Sequence, residues 1–262
     1  MNSLSEEYGL YWQPLGGNNI DQISGHSYRY TDVTADGRTT IIVDLGKFDN
    51  HQALGIKNSA AAVPDYIKAG YSLPPLYAGK YTFMILEDLY REFGIPKYKR
   101  PKQNIIDDGS IIRTGSLEIE VLSSSHTCFD SFGFIIRTPN TTVYHSGDMK
   151  IDSSTYFRKA TNTKRLKQLA ADIKFAVTDF YGIYDDGYAV KEVTTFKKLV
   201  CLMRKSRKGK IFLPVYPTHP EMYIIAFLAA LKLKKNVIFF GNPDFYSYLQ
   251  RIIDYGISFD KM

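Results

Sequence analysis

Residues 123–152 read "SSSHTCFDSFGFIIRTPNTTVYHSGDMKID". An apolar run, "SFGFIIR", meets the turn signal Thr138-Pro139-Asn140, and a second run, "TTVYH", ends in Ser146-Gly147-Asp148. This pattern predicts a β-hairpin. The hairpin returns the chain to the end of the sheet from which it set out. His126, just before it, and Asp148, just after it, are therefore expected at one end, each where a strand runs into a loop.

The stretches on either side extend the pattern. Upstream, "HSYRYTD" alternates, "ADGR" supplies an Asp-Gly turn, and "TTIIVDLG" reads as a buried strand. "GKYTFMILEDLYREFGI" has helical spacing, with Phe83, Leu86, Leu89 and Phe93 on one face and Gly94 as its stop. "SLEIEVLSSS" alternates again. Downstream the rhythm changes near residues 183–188. Short apolar runs ("IKFAVTDF", "GKIFLPVY", "NVIFFG") alternate with helical patterns ("KEVTTFKKLVCLMRKS", "HPEMYIIAFLAALKLKK", "PDFYSYLQRIIDYG"). Strands alternating with helices predict parallel βαβ units. The expected class is α/β, with a strand-rich region over 1–185 and an α/β region over 186–262.

Composition narrows the function classes. The chain has 262 residues, 44% hydrophobic and 23% charged, which is enough to bury a substantial core. No apolar run reaches the roughly 18 residues that a membrane span needs, so no membrane partner is expected. The N-terminal stretch lacks the basic start and apolar run of a signal peptide. Cys128 and Cys201 form neither a disulfide framework nor a CxxC pair, and the expected setting is reduced and cytoplasmic. The net charge of +6 favours acidic partners, nucleic acid above all. Its clusters are "PKYKRPK", with Lys99 and Arg100, "RKSRKGK", with Arg204 and Lys208, and "KLKK". Taken singly, each also reads as a solvated loop or helix end.

Histidine and carboxylate suit zinc or manganese, and in a two-metal site a bridging carboxylate helps the ions direct a water onto a phosphodiester. A Ser-Gly-Asp turn also serves purely structural ends, so spacing alone leaves both readings open. His145 lies three residues before Asp148 and on a strand points largely away from it, which predicts a core or supporting place. His219 precedes a helix, where it either holds a phosphate with the free backbone N–H groups or simply opens the helix. Cys128 follows His126 by two, but no orienting group or oxyanion loop accompanies it, so a small buried hydrophobe is expected.

"HTCFDSFGFIIRTPNTTVYHSGDMKID" resembles the corresponding segment of the ribonuclease J family, metallo-β-lactamase-fold nucleases with an inserted β-CASP domain. His126 matches the family's third-motif histidine and Asp148 its bridging fourth-motif aspartate. The resemblance continues through "LGGNNI", "IIVDLG" with Asp44, "ALGIKNSAAAVPDYI", "VTDF" with Asp179 and "IFLPVYPTHPEMYIIA" with His219. It implies an incomplete αββα sandwich followed by part of a β-CASP domain. It implies His126 and Asp148 as metal ligands, with Asp179 and His219 completing the catalytic set.

The family's His-x-His-x-Asp-His motif has no counterpart. "VPDYIKAGYSLPPLYAGKYTF" passes directly between the segments that flank it. The family's later His-x-Ser-Gly-His motif and final metal-binding histidine are also without counterpart. The resemblance therefore implies an RNA-associated protein with an impaired metal site and no tightly bound cofactor, partnering an intact ribonuclease J-like subunit or itself. Two rivals stand beside it. One is an active zinc or manganese hydrolase whose site is completed by Asp49, His51 or Asp65 or by a second chain. The other is an interaction module without chemistry.

Overall fold

The structure, a computed structural model, describes residues 7–16, 27–44, 62–155, 159–180, 184–187, 190–206, 209–215, 219–238, 240 and 245–256. Two antiparallel-rich sheets face each other. The first holds β1 (Gly9–Gly16), β2 (Ser27–Thr34) and β3 (Gly37–Val43) in the order β1-β2-β3. The second takes in β6 (Ile111–Thr114), β7 (Leu117–Ser124), β8 (Ser131–Arg137), β9 (Thr142–His145) and β10 (Phe175–Val177), in the order β10-β9-β8-β7-β6. Between them in sequence, β4 (Leu76–Ala78) and β5 (Gln103–Ile105) form a short parallel pair.

Period-2 alternation decides which residues meet between the sheets. Tyr30 and Val43 of the first sheet pack against Leu117, Ile119, Ile136 and Val143 of the second. The other face of the second sheet, with Leu122, Ile135 and Tyr144, is covered by Leu169 of α3 (Thr163–Leu169). The predicted Asp-Gly turn forms one residue early: Ala35 and Asp36 make the loop, and Gly37 opens β3 opposite Thr34. The two sheets approach each other tightly at Gly115. A Cβ there would lie 1.9 Å from Oγ1 of Thr39, which also accepts the Ser116 N–H at 3.2 Å.

A second core is helical. It gathers α1 (Ala62–Lys68), α2 (Lys80–Glu92), α5 (Pro220–Lys232) and α6 (Phe245–Tyr255) around Tyr81, Leu86, Phe129, Ile224 and Ile252. The predicted face of α2 is present: Phe83 and Leu86 are buried, while Leu89 and Phe93 pack at the margin. Gly94, at φ 64°, ends the helix, and the Ile95 N–H reaches back to the Tyr90 carbonyl at 2.8 Å. The remaining helix, α4 (Glu192–Lys205), packs on α5. No helix among the described residues is long and apolar enough to cross a membrane.

The structure departs from the predicted βαβ pattern after β10. "GKIFLPVY" and "NVIFFG" form no strand among the described residues, and Phe212, Ile238 and Phe240 are 82%, 80% and 94% exposed. Apolar β-branched runs become strands only where a neighbour supplies a ladder of N–H and C=O partners. Neither run has such a neighbour among the described residues. Among the described residues the helices of the α/β region are therefore present without a sheet between them.

Candidate functional site

The end of the second sheet is set by strand direction. β7 and β9 both run antiparallel to β8, with Ser124 opposite Ser131 and Phe134 opposite His145, so β7 and β9 point the same way. β10 lies parallel to β9, with Val177 opposite His145. All three strands therefore deliver their C-terminal loops to one end. These loops carry His126, Asp148 and Asp179.

There Nδ1 of His126 stands 4.0 Å from Oδ2 of Asp148, with side chains 32% and 64% exposed. Thr127 Oγ1 lies 3.3 Å from the same imidazole nitrogen. Asp148 is aimed by the turn before it. Gly147 has φ 57°, and a Cβ on it would approach the Phe132 carbonyl to 2.9 Å, so the backbone fits only glycine without adjustment. Asp179 is tied to the same turn twice: its N–H donates to Ser146 Oγ at 2.9 Å, and its Oδ2 accepts the Met149 N–H at 3.2 Å.

Beneath this end lies a buried aromatic and imidazole layer. His145 is 1% exposed; its Nδ1 is 2.8 Å from the Tyr30 hydroxyl and its Nε2 3.7 Å from Oδ2 of Asp44. Its predicted core place is thus observed. Asp44 holds a left-handed backbone, φ 59°, as β3 ends. Tyr28 packs edge-on to His145, with ring centroids 4.9 Å apart. Burial first, then the carboxylates of Asp44, Asp148 and Asp179, push the Tyr28 phenol up. One neutral phenol therefore faces the carboxylate cluster.

Two further carboxylates, neither evident from the spacing, hold the loops. Asp130 accepts the Tyr81 and Thr82 N–H groups at 2.6 and 3.2 Å at the start of α2, and the Thr82 hydroxyl at 3.1 Å. It supplies the cap that the position before the helix, Gly79, cannot. Asp152 accepts from Ser154 N–H and Oγ at 2.8 and 2.6 Å, from the Glu192 N–H at 2.9 Å, and pairs with Lys150 at 3.0 Å. Burial alone would raise the Asp152 pKa, but these donors outweigh it and hold the carboxyl well below the usual range.

Cys128 donates to Asp130 at 3.2 Å, and burial first, then the Asp130 carboxylate, push its thiol up. A thiol so held is protonated and a poor nucleophile, in line with the packing place expected of it. Ile224 of α5 shares a core with Phe129 and Cys128, which sets α5 beside the His126 loop. His219 opens α5, with Nε2 4.0 Å from Glu221 Oε2.

The basic residues separate. Arg204 is exposed in the last turn of α4. Arg100 is 18% exposed and engaged with Glu87, whereas Lys99 is exposed. Lys208 lies outside the described residues, as do Asp49 and His51, and Asp65 sits in the first turn of α1. Among the described residues no three of His, Cys, Asp and Glu converge on a point that could hold a metal ion. A zinc site takes three or four such ligands, so the described residues do not by themselves fit zinc or manganese.

No protein-family model matches the chain. It is 24% identical over 169 residues to ribonuclease J of Thermus thermophilus, covering 64% of this chain and 29% of that protein. It is 23% identical over 169 residues to ribonuclease J 2 of Staphylococcus aureus, covering 64% of this chain and 30% of that protein. The chain thus spans less than a third of the length of these curated relatives. Among solved structures, a protein of unknown function from Enterococcus faecalis matches with a TM-score of 0.55 and 15% identity, over 79% of this chain and 60% of that one. That likeness concerns the α/β fold alone. The sequence matches make the chain a distant homologue of ribonuclease J.

Proposed function

We propose that the chain is a ribonuclease J-like, RNA-associated protein of the cytoplasm, built as a metallo-β-lactamase-type region over 1–185 and a β-CASP-type region over 186–262. It binds single-stranded RNA and, alone, does not cleave it. The observation that carries this reading is the 4.0 Å approach of His126 to Asp148 at parallel strand ends, with Asp179 fastened to the same turn. A histidine and a carboxylate so placed would suit one edge of a metal site, while the described residues hold no ligand set that could keep two ions around a scissile phosphate. In this reading RNA meets exposed cations, Lys99 and Arg204 among them, and His219 at the start of α5 contacts a phosphate. An intact ribonuclease J-like subunit, or a second copy, is the protein partner.

The test joins binding to cleavage. A labelled oligouridylate is titrated at low salt, and the same RNA is incubated with the protein and added manganese. Binding without cleavage is the expected outcome. Cleavage that stops in Asp148→Asn would overturn the inert reading and give the site to an active hydrolase. Absence of binding at low salt would remove RNA from the reading altogether.

A further inference from the structure

The turn that follows α2 carries Lys99, named above among the exposed cations, together with side chains that the His126 and Asp148 site does not use. Residues 96–102 read "PKYKRPK". Lys97–Lys99 make one 3-10 turn, closed by the Lys99 N–H on the Pro96 carbonyl at 3.0 Å and the Arg100 N–H on the Lys97 carbonyl at 3.1 Å. Prolines at both ends fix φ and lower the freedom that binding would otherwise have to remove.

Arg100 braces this turn from beneath. Its Nε and Nη2 both donate to the Ile95 carbonyl, at 3.0 and 2.8 Å, and its Nη1 donates to Glu87 Oε2 at 2.8 Å. The guanidinium lies over the Tyr90 ring, 4.8 Å from the centroid. A planar fork with several fixed donors suits this task, and a lysine could not reproduce it. The brace ties the tip to α2, so its shape is set before any ligand arrives.

What the tip presents is an aromatic face among cations. Tyr98 is 84% exposed. Lys97, Lys99 and Lys102 are exposed, and none forms an ion pair among the described residues. No acidic residue occurs within 96–102. A single exposed aromatic is ordinary on a protein surface. An exposed tyrosine on a pre-shaped turn, flanked by such lysines, is the combination that receives a base and its neighbouring phosphates.

We propose that this tip is a separate contact for single-stranded RNA, an inference that rests on the RNA reading above. Tyr98 stacks on a base, Lys97, Lys99 and Lys102 neutralise the flanking phosphates, and Arg100 is a positioning residue. Helix α2, whose first turn Asp130 caps, runs 13 residues toward the tip, about 20 Å at 1.5 Å per residue, so the tip and the His126 loop lie at opposite ends of it.

The test is fluorescence anisotropy of a labelled oligouridylate over a range of salt, with heparin as a polyanion that has no bases. Tyr98→Ala weakens oligouridylate binding on the order of tenfold, keeps the salt slope and leaves heparin binding unchanged. Tyr98→Trp restores the affinity. Lys97→Ala with Lys99→Ala lowers the salt slope by about 1.4, at about 0.7 for each single-strand phosphate that is no longer neutralised. Arg100→Lys weakens oligouridylate binding although it keeps the charge. Tyr98 is exposed, so its substitution leaves the core intact. If Tyr98→Ala binds oligouridylate like the unaltered protein, the tip contact is wrong while the RNA reading stands. Equal losses for oligouridylate and heparin overturn stacking. No oligouridylate binding by the unaltered protein overturns both.

Discussion

Oδ2 of Asp130 accepts the backbone N–H of Tyr81 at 2.6 Å, and this hydrogen bond, with the two that Asp130 accepts from Thr82, joins the loop that carries His126 to the first turn of α2. The helix needs an acceptor there because its first N–H groups have no partner within the helix. The loop needs an anchor because it leaves the sheet at Ser124. Each supplies what the other lacks.

Asp130→Ala is therefore expected to lower stability by about 1–2 kcal/mol, the upper part of the range for losing a helix cap. Urea unfolding followed by circular dichroism measures it. Asp130→Asn keeps an acceptor and should recover more than half of that loss. The imidazole resonances of His126 should shift in Asp130→Ala and not in a distant destabilised variant of equal midpoint. If they stay in place, the loop does not depend on the cap.

Acid should loosen the junction at Asp152. Its folded pKa is depressed below the ordinary 3.8, so near that pH the unfolded chain binds the proton more readily. The stabilisation is complete above about pH 5 and is lost as pH falls past the unfolded value toward the depressed folded one. The gap in unfolding free energy between the unaltered protein and Asp152→Asn should thus shrink steadily from about pH 5 to about pH 2. A gap independent of pH would show that the amide reproduces everything the carboxylate does for Ser154 and Glu192.

Beneath the candidate site, Tyr30→Phe removes the hydroxyl from His145 Nδ1 and leaves a buried ring nitrogen without that contact. Such a deletion costs about 1–3 kcal/mol. Chemical denaturation is the measurement. A neutral result would mean that a water or another group takes the place of the phenol.

Elemental analysis of the purified protein should find well under one equivalent of zinc or manganese, because no three candidate ligands converge among the described residues. Stoichiometric metal that disappears in His126→Ala would show that further residues complete the site.

Much of the strand-rich region was legible because its signals are local. Alternation marks β2 and β7, an apolar run marks β3, and Pro139-Asn140 separates β8 from β9. His126 and Asp148 could be put at one end because strand direction follows from counting reversals. Asp130 was hidden, since its role depends on Gly79 and Tyr81, which are distant in sequence and offer no spacing rule. Arg100 was misleading: in the sequence it is one more cation beside Lys99, and only the fold turns its donors toward Ile95 and Glu87. The runs at 209–216 and 236–241 read as strands from residue preference, yet a strand is a property of a pair and preference cannot supply the neighbour.

The β7-β8-β9 meander has one more consequence, in time. Its ladders join residues close in the chain, from Ser124 with Ser131 to Arg137 with Thr142, so closing them costs little loop entropy. The helical core must instead bring Ile224 and Ile252 back to Leu86, across most of the chain. Early folding should therefore fix the end that carries His126 and Asp148 while α5 and α6 are still undocked. Pulse-labelled hydrogen exchange would see this as protection of Val121 and Ile135 before Ile224, and the reverse order would mean that the helices organise the sheet.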